Sequence, residues 1–274
     1  MQDKQPSIPP GDLRAVAGLP VIADNDALVP RFGAGVIATE PEVHLTGELN
    51  AVLLDPAAAG DDTRTLYSVC RDVAPEESVE AIRRARLVYV VLMLRPGRIG
   101  EEWTRTRGHI NPLAPGTALP YPEVHEVWQG HALLYLQTAA SDAPEDVVTV
   151  EMLPGQKAIV PPGWASLLVN IGEIPLVCAT WRARGSEPGY AALEALRGMA
   201  HYVLAGPEPG KWTFEPNTRY RTAPVPRRVP CPEMPEAGLR PGEPMLTTFR
   251  SNPEFFHYMK RPQDSDRLWA GLYS

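Results

Sequence analysis

Between residues 87 and 181, short runs of β-forming residues follow one another, each closed by glycine or proline, and this pattern constrains the fold more than any other. "LVYVVLMLRPG" (87–97) reads as a buried strand ending in a Pro-Gly turn. "EVHEVWQGHALLYLQ" (123–137) reads as two strands broken at Gln129-Gly130. "VVTVEMLPGQKAIVPPG" (147–163) gives two more around Pro154-Gly155, and "ASLLVNIGEIPLVCATW" (165–181) another pair around Gly172. Strands this short, joined by such turns, predict an all-β sandwich or barrel.

The flanks have a different texture. Residues 1–30 read as an irregular lead-in, and 32–56 as an arm or added edge strand. "TRTLYSVCRDVA" (63–74) alternates as a strand does, and "PEESVEAIRRARL" (75–87) starts as a short helix does. "GYAALEALRGMAHYVL" (189–204) suggests a short helix and then a strand. Residues 205–245 are rich in proline and lack core periodicity, so they are expected to wrap a domain rather than form one. "NPEFFHYMKRPQD" (252–264) predicts a terminal helix with Asn252 as N-cap and Pro253 at its first position. The expected division is an arm with edge strands (1–62), a barrel (63–185) and a packed C-terminal extension (186–274).

Bulk properties narrow the function. A formal charge of −7 over 274 residues argues against a nucleic-acid surface, which needs a basic patch. No window holds 18 consecutive apolar residues, so no membrane span is expected. Cys70, Cys178 and Cys231 are odd in number and widely spaced. They read as reduced thiols of a cytoplasmic protein rather than a disulfide framework or a zinc knuckle.

Two stretches carry chemistry: "TRGHIN … YPEVHEVWQGHALLYLQ" (106–111 and 121–137) and "PPGWASLLVNIG" (161–172). Their spacing, glycines and prolines resemble the paired motifs of the cupin barrels, and more narrowly the cupin-type glucose-6-phosphate isomerases of archaea and some bacteria. The likeness runs from about 60 to about 260, taking in "LYSVCRDV" and "FEPNTRYRTAPVPRRV". It implies a cupin double-stranded β-barrel (jelly roll) with an N-terminal strand or arm and a Pro-rich C-terminal wrap containing short helices. It also implies a homodimer, built through barrel strands or exchanged N-terminal arms.

The resemblance places a divalent metal (Fe, Mn, Ni or Zn) at positions 109, 111, 123 and 166. Here these are His109, Asn111, Glu123 and Ser166. A neutral amide or hydroxyl is a poor ligand where imidazole is a strong one, so the expectation is no tightly bound cofactor. Residues two apart on a strand share a face, so His125 should join Glu123, and His109, Glu123 and His125 form the weak alternative metal set. Ser166, Leu168 and Asn170 should likewise face together and make a drier wall.

In the family likeness Glu123 is the catalytic base; position 125 is a tyrosine there, and without a metal His109 or His125 would have to act as the electrophile. A buried carboxylate beside apolar walls is expected to have a raised pKa. Thr106, Arg107 and Gly108, with Asn111 and Ser166, form the expected substrate or phosphate site. Arg105 and Arg107 read equally as anion ligands or as rim arginines. His131 is expected to be exposed. Tyr121, Tyr135, Tyr202 and Tyr220 can line the pocket or pack in the core.

Three functions remain open. The first is an isomerase interconverting glucose 6-phosphate and fructose 6-phosphate. The second is a metal-independent isomerase, cyclase or lyase using Glu123 and His125 on another small molecule. The third is a cupin that binds a ligand without catalysis. Fold alone does not choose among them.

Overall fold

The computed structural model describes residues 11–139, 141–208 and 210–273. Two sheets face each other around one interior. The first runs in the order His109–Ile110, Trp164–Asn170, Ala132–Thr138, Val147–Met152, Arg227–Val229. The second runs Lys157–Val160, Glu123–Gln129, Leu176–Ala183, Leu87–Leu94, Thr65–Cys70, Glu42–Leu45. All pairs are antiparallel except the last of the first sheet, where Arg227–Val229 runs parallel to Val147–Met152. This is the barrel that the turn spacing predicts, in the cupin jelly-roll form that the resemblance implies. The expected breaks at Pro154-Gly155 and Gly172 lie between strands, and the one at Gln129-Gly130 falls where the Glu123–Gln129 strand ends.

Alternation along the strands sorts the side chains into layers. Val127, Leu134, Leu136, Val148, Val150, Leu168 and Cys178 meet inside. On the opposite face of the second sheet, Tyr89, Val124, Trp128 and Trp181 pack against Leu13–Leu28 and the C-terminal Phe249 and Phe256. The rings of Trp181 and Phe249 are centred 4.9 Å apart. The outer face of the first sheet is covered by Leu193, Met199, Val203 and Trp212. Both sheets are thus buried on both faces, which is why their strands read as nearly continuous apolar runs.

Glu126 breaks that apolar pattern. Its carboxylate points away from the interior and is fully buried. Lys157 Nζ lies 3.0 Å from it, the Trp128 indole donates to it at 3.0 Å, and so does the Met245 N–H at 3.2 Å. That N–H opens the helix Met245–Ser251, so one buried acid ties the C-terminal segment to the Glu123–Gln129 strand. Burial pushes the Glu126 carboxyl above the usual range, and Lys157, Trp128 and Met245 offset part of that rise. Tyr273 also comes inside: its hydroxyl donates to the Ile159 carbonyl at 2.6 Å and it joins the interior cluster.

The flanks are more ordered than their sequences suggest. Of the expected irregular lead-in, residues 1–10 lie outside the described residues. The rest forms a helical turn, Arg14–Ala17, and a hairpin of Val21–Asp24 with Val29–Phe32. The Pro-rich 205–245 region supplies strands Trp212–Pro216 and Arg227–Val229 besides wrapping. Proline is tolerated there because these are edge strands of their sheets. The terminal helix starts as expected, with the Asn252 side chain accepting from Glu254 N. It is a 3-10 helix over Pro253–Met259, kinked at Phe256. No helix among the described residues is long and apolar enough to cross a membrane.

Candidate functional site

A cavity of about 100 Å³ opens into the barrel, walled by His109, Glu123, His125, Ser166, Thr180 and Arg182. Strand geometry puts them there. On Glu123–Gln129 the even spacing turns Glu123 and His125 inward with Val127. On Leu176–Ala183 the same spacing turns Cys178, Thr180 and Arg182 inward. Glu123 pairs across the sheet with Arg182, and His125 with Thr180. In the opposite sheet His109 pairs with Ser166.

Glu123 is the hub, with its side chain only 1 % exposed. The Arg182 Nε lies 2.8 Å from Oε1 without its N–H aimed at it, so the contact is ionic rather than a directed hydrogen bond. The His109 Nε2 is 3.0 Å from the same oxygen. The His125 Nε2 is 3.5 Å from Oε2, and its Nδ1 is held 2.8 Å from the Thr180 hydroxyl. Burial pushes the Glu123 carboxyl up, but Arg182 and then His109 and His125 outweigh it, and the group sits well below the usual carboxylate range. The expected raised pKa is therefore corrected. The apolar walls are real, but sequence reasoning did not place a guanidinium against the carboxylate.

Asn111 also differs from expectation. It is buried outside the cavity wall, behind Arg182. Its Oδ1 accepts from Arg182 Nη2 at 3.0 Å and its Nδ2 donates to the Tyr121 carbonyl at 3.0 Å. It positions Arg182 and does not face a substrate. Ser166 does line the cavity, as do Thr106, Arg107 and Gly108. Thr106 Oγ1 accepts from Leu168 N at 3.1 Å. Gly108 has φ +81°, a left-handed conformation that glycine adopts without strain.

The two neighbouring arginines separate cleanly. Arg105 is neither a rim residue nor an anion ligand: it is 2 % exposed, bound to Glu102 at 2.8 Å and to the Val52 carbonyl. Arg107 is at the mouth, paired with Glu194, its guanidinium 4.9 Å from the centre of the Tyr190 ring. Sequence reasoning missed Arg182, Arg71, Tyr67, Tyr190 and His44. Arg71 pairs with Glu42 at 3.3 Å, and His44 stacks on Tyr67 with ring centres 4.4 Å apart. Arg182 carries a findable signal, because strand parity groups it with Cys178 and Thr180 on one face. The tyrosines singled out in sequence lie elsewhere. Tyr135 meets His201 beneath the outer layer, and Tyr220 bonds Gln137 and Gly198. His131 is half-buried, 3.2 Å from Glu151.

The donor set does not suit a divalent ion. Glu123 Oε1 already faces a guanidinium and an imidazole. The Asn111 amide is committed on both ends, and Ser166 offers only a neutral hydroxyl. Among the described residues no three His, Cys, Asp or Glu side chains are arranged to hold a metal. Of the weak set, His109 and His125 lie 3.0 and 3.5 Å from Glu123, but Arg182 lies against the same carboxylate at 2.8 Å.

The family model described as glucose-6-phosphate isomerase matches residues 43–219. The glucose-6-phosphate isomerase of Pyrococcus furiosus is 34% identical over 191 residues, 69% of this chain and 94% of that protein. A putative glucose-6-phosphate isomerase 1 of Rhizobium meliloti is 31% identical over 52% of this chain and 62% of its own length. Among solved structures, recombinant oxalate oxidase in complex with glycolate covers 46% of this chain and 55% of its own, at 12% identity and a TM-score of 0.35. Nothing about the site transfers at that distance. The long match to the archaeal enzyme and the span of the family model agree with the barrel and its paired motifs: this chain belongs to the glucose-6-phosphate isomerase family.

Proposed function

We propose that the protein interconverts an aldose phosphate and a ketose phosphate, glucose 6-phosphate and fructose 6-phosphate first among them, with Glu123 as the base. The observation that carries this reading is the placement of Glu123: a carboxylate with its side chain 1 % exposed, on the cavity wall and within 3.5 Å of two imidazoles. Glu123 removes the proton on C2, the electrons of that C–H bond form the C1–C2 double bond of an enediol, and O1 gains a proton. Glu123 then returns its proton to C1 while O2 loses its own and the C2 carbonyl forms. His125 passes the proton between the two oxygens through Nε2, its other nitrogen being held by Thr180. The phosphate is held at the mouth by Arg107 and Arg71, each of which can exchange a carboxylate partner for a phosphate oxygen.

Phosphosugar interconversion by purified protein, followed together with exchange of the C2 proton into deuterated water, tests this. Glu123→Gln should abolish both signals while circular dichroism stays native. Exchange that survives the substitution would remove Glu123 from the reaction. A second reading draws on the apolar part of the wall, Val90, Leu92 and Leu168. On that reading the same acid–base pair works on a less polar substrate, and a panel of unphosphorylated carbonyl compounds separates the two. Free thiols at Cys70, Cys178 and Cys231 support a reducing, cytoplasmic setting, and the family likeness supports a homodimer.

A further inference from the structure

We infer that Arg182 is the resident cation of this site, a guanidinium built into the place that the family likeness gives to a metal ion. The inference rests on the isomerase reading for its chemistry but not for its geometry. Arg182 is 9 % exposed and is held from three sides. Its Nε faces Glu123 Oε1 at 2.8 Å. Its Nη2 donates to Asn111 Oδ1 at 3.0 Å and to the Ser186 carbonyl. The amide orientation of Asn111 is fixed by the network, because its Nδ2 must meet the Tyr121 carbonyl. Asn111 stands at one of the four likeness positions, so a residue that is a poor ligand has become the anchor of the replacing charge. Register does the rest: Glu123 and Arg182 are direct cross-strand partners, with side chains close enough to interact without further adjustment.

Two nitrogens are thus committed. Nη1 has no hydrogen-bond partner among the described residues, and Arg182 lines the cavity. Nη1 is the donor left to polarise a substrate carbonyl and to hold the enediolate oxygen that develops as the C2 proton leaves. A guanidinium keeps its charge at any working pH and is not removed by a chelator.

The test uses Mn²⁺ as the probe, read by electron paramagnetic resonance on the full chain, beside turnover of fructose 6-phosphate. Unaltered protein should leave Mn²⁺ free in solution and turn over equally with and without EDTA. Arg182→Met frees Glu123 between His109 and His125, and should therefore gain Mn²⁺ binding while turnover falls roughly 10²–10³-fold, the usual loss for one oxyanion donor. Arg182→Lys keeps a positive charge without the planar fork, and should still exclude Mn²⁺. The inference is overturned if unaltered protein keeps stoichiometric Mn²⁺ through EDTA dialysis, or if folded Arg182→Met gains none. Should Arg182→Met fail to fold, the unaltered protein and Arg182→Lys decide the matter by the same signal. If unaltered protein turns over no phosphosugar, the proposed function falls, and the Mn²⁺ measurements still decide what Arg182 replaces.

Discussion

The energetic coupling of Glu123 to Arg182 can be measured apart from catalysis. Arg182→Met removes a guanidinium 9 % exposed and leaves three acceptors without it: Glu123, Asn111 Oδ1 and the Ser186 carbonyl. Breaking a buried ion pair from one side costs about 3–5 kcal/mol, because the remaining charge is stranded. His109 and His125 remain 3.0 and 3.5 Å from the carboxylate and keep polar contact with it, so the expected cost is at the lower end, ~3 kcal/mol. Glu123→Gln strands the guanidinium in the same way. The double variant strands neither charge, so its cost should fall short of the summed single costs by at least ~2 kcal/mol, within the usual range for interacting neighbours. Urea unfolding at pH 7, followed by tryptophan fluorescence and circular dichroism together, gives all four values. Single costs that add to within ~0.5 kcal/mol, the behaviour of independent sites, would show that the two groups do not sense each other.

The same carboxylate sets a pH dependence. Its folded pKa is depressed by Arg182 and the histidines against the pull of burial, so its contribution is fully present above the unfolded value of about 4.3 and is lost as pH falls through the lower folded value. Melting temperatures between pH 3 and 7 should therefore drop less steeply on the acid side in Glu123→Gln; parallel curves would contradict this. On the outer face of the strand, Lys157→Met should destabilise by about 3 kcal/mol through the stranded Glu126, with turnover per folded molecule unchanged, a separation that urea melts and active-site titration can check. Phe249→Ala should cost about 3–5 kcal/mol, since it opens a hole against Trp181 and Phe256, and a loss below ~1 kcal/mol would mean that the segment docks loosely. A homodimer is expected from light scattering at micromolar concentration, and a monomer there would retire that proposal.

The barrel was legible in the sequence because its signal is local. Short β-forming runs closed by Gly/Pro turns mark the strands, and side-chain parity along them puts Glu123 with His125 and Ser166 with Leu168. What stayed hidden depends on contacts between distant parts of the chain. Arg105 looks like a surface residue until Glu102 and the Val52 carbonyl close around it. The expected raised pKa of Glu123 failed because its sign is decided by Arg182, which lies on another strand. Asn111 kept its place in the motif but changed its role, which only its bonds to Arg182 and Tyr121 reveal. The parallel strand Arg227–Val229 had no alternation to announce it, being short and half exposed at the edge of its sheet.

The way the C-terminal segment closes this molecule has a consequence in time. The last strand of the second sheet ends at Ala183, yet its outward residues, Trp181 among them, are covered by Phe249 and Phe256, and the interior itself receives Tyr273. At the ~5–20 residues per second of protein synthesis, the roughly ninety residues that separate Ala183 from Tyr273 take on the order of 5–20 s to emerge. For most of that interval a nascent chain with all the barrel strands of its second sheet already made lacks the Phe249 and Phe256 cover of Trp181 and has only the Leu13–Leu28 segment on that face. Its danger is therefore greatest late in its own translation, and slowing the ribosome over the Pro-rich 205–245 stretch would lengthen the exposure rather than help the fold.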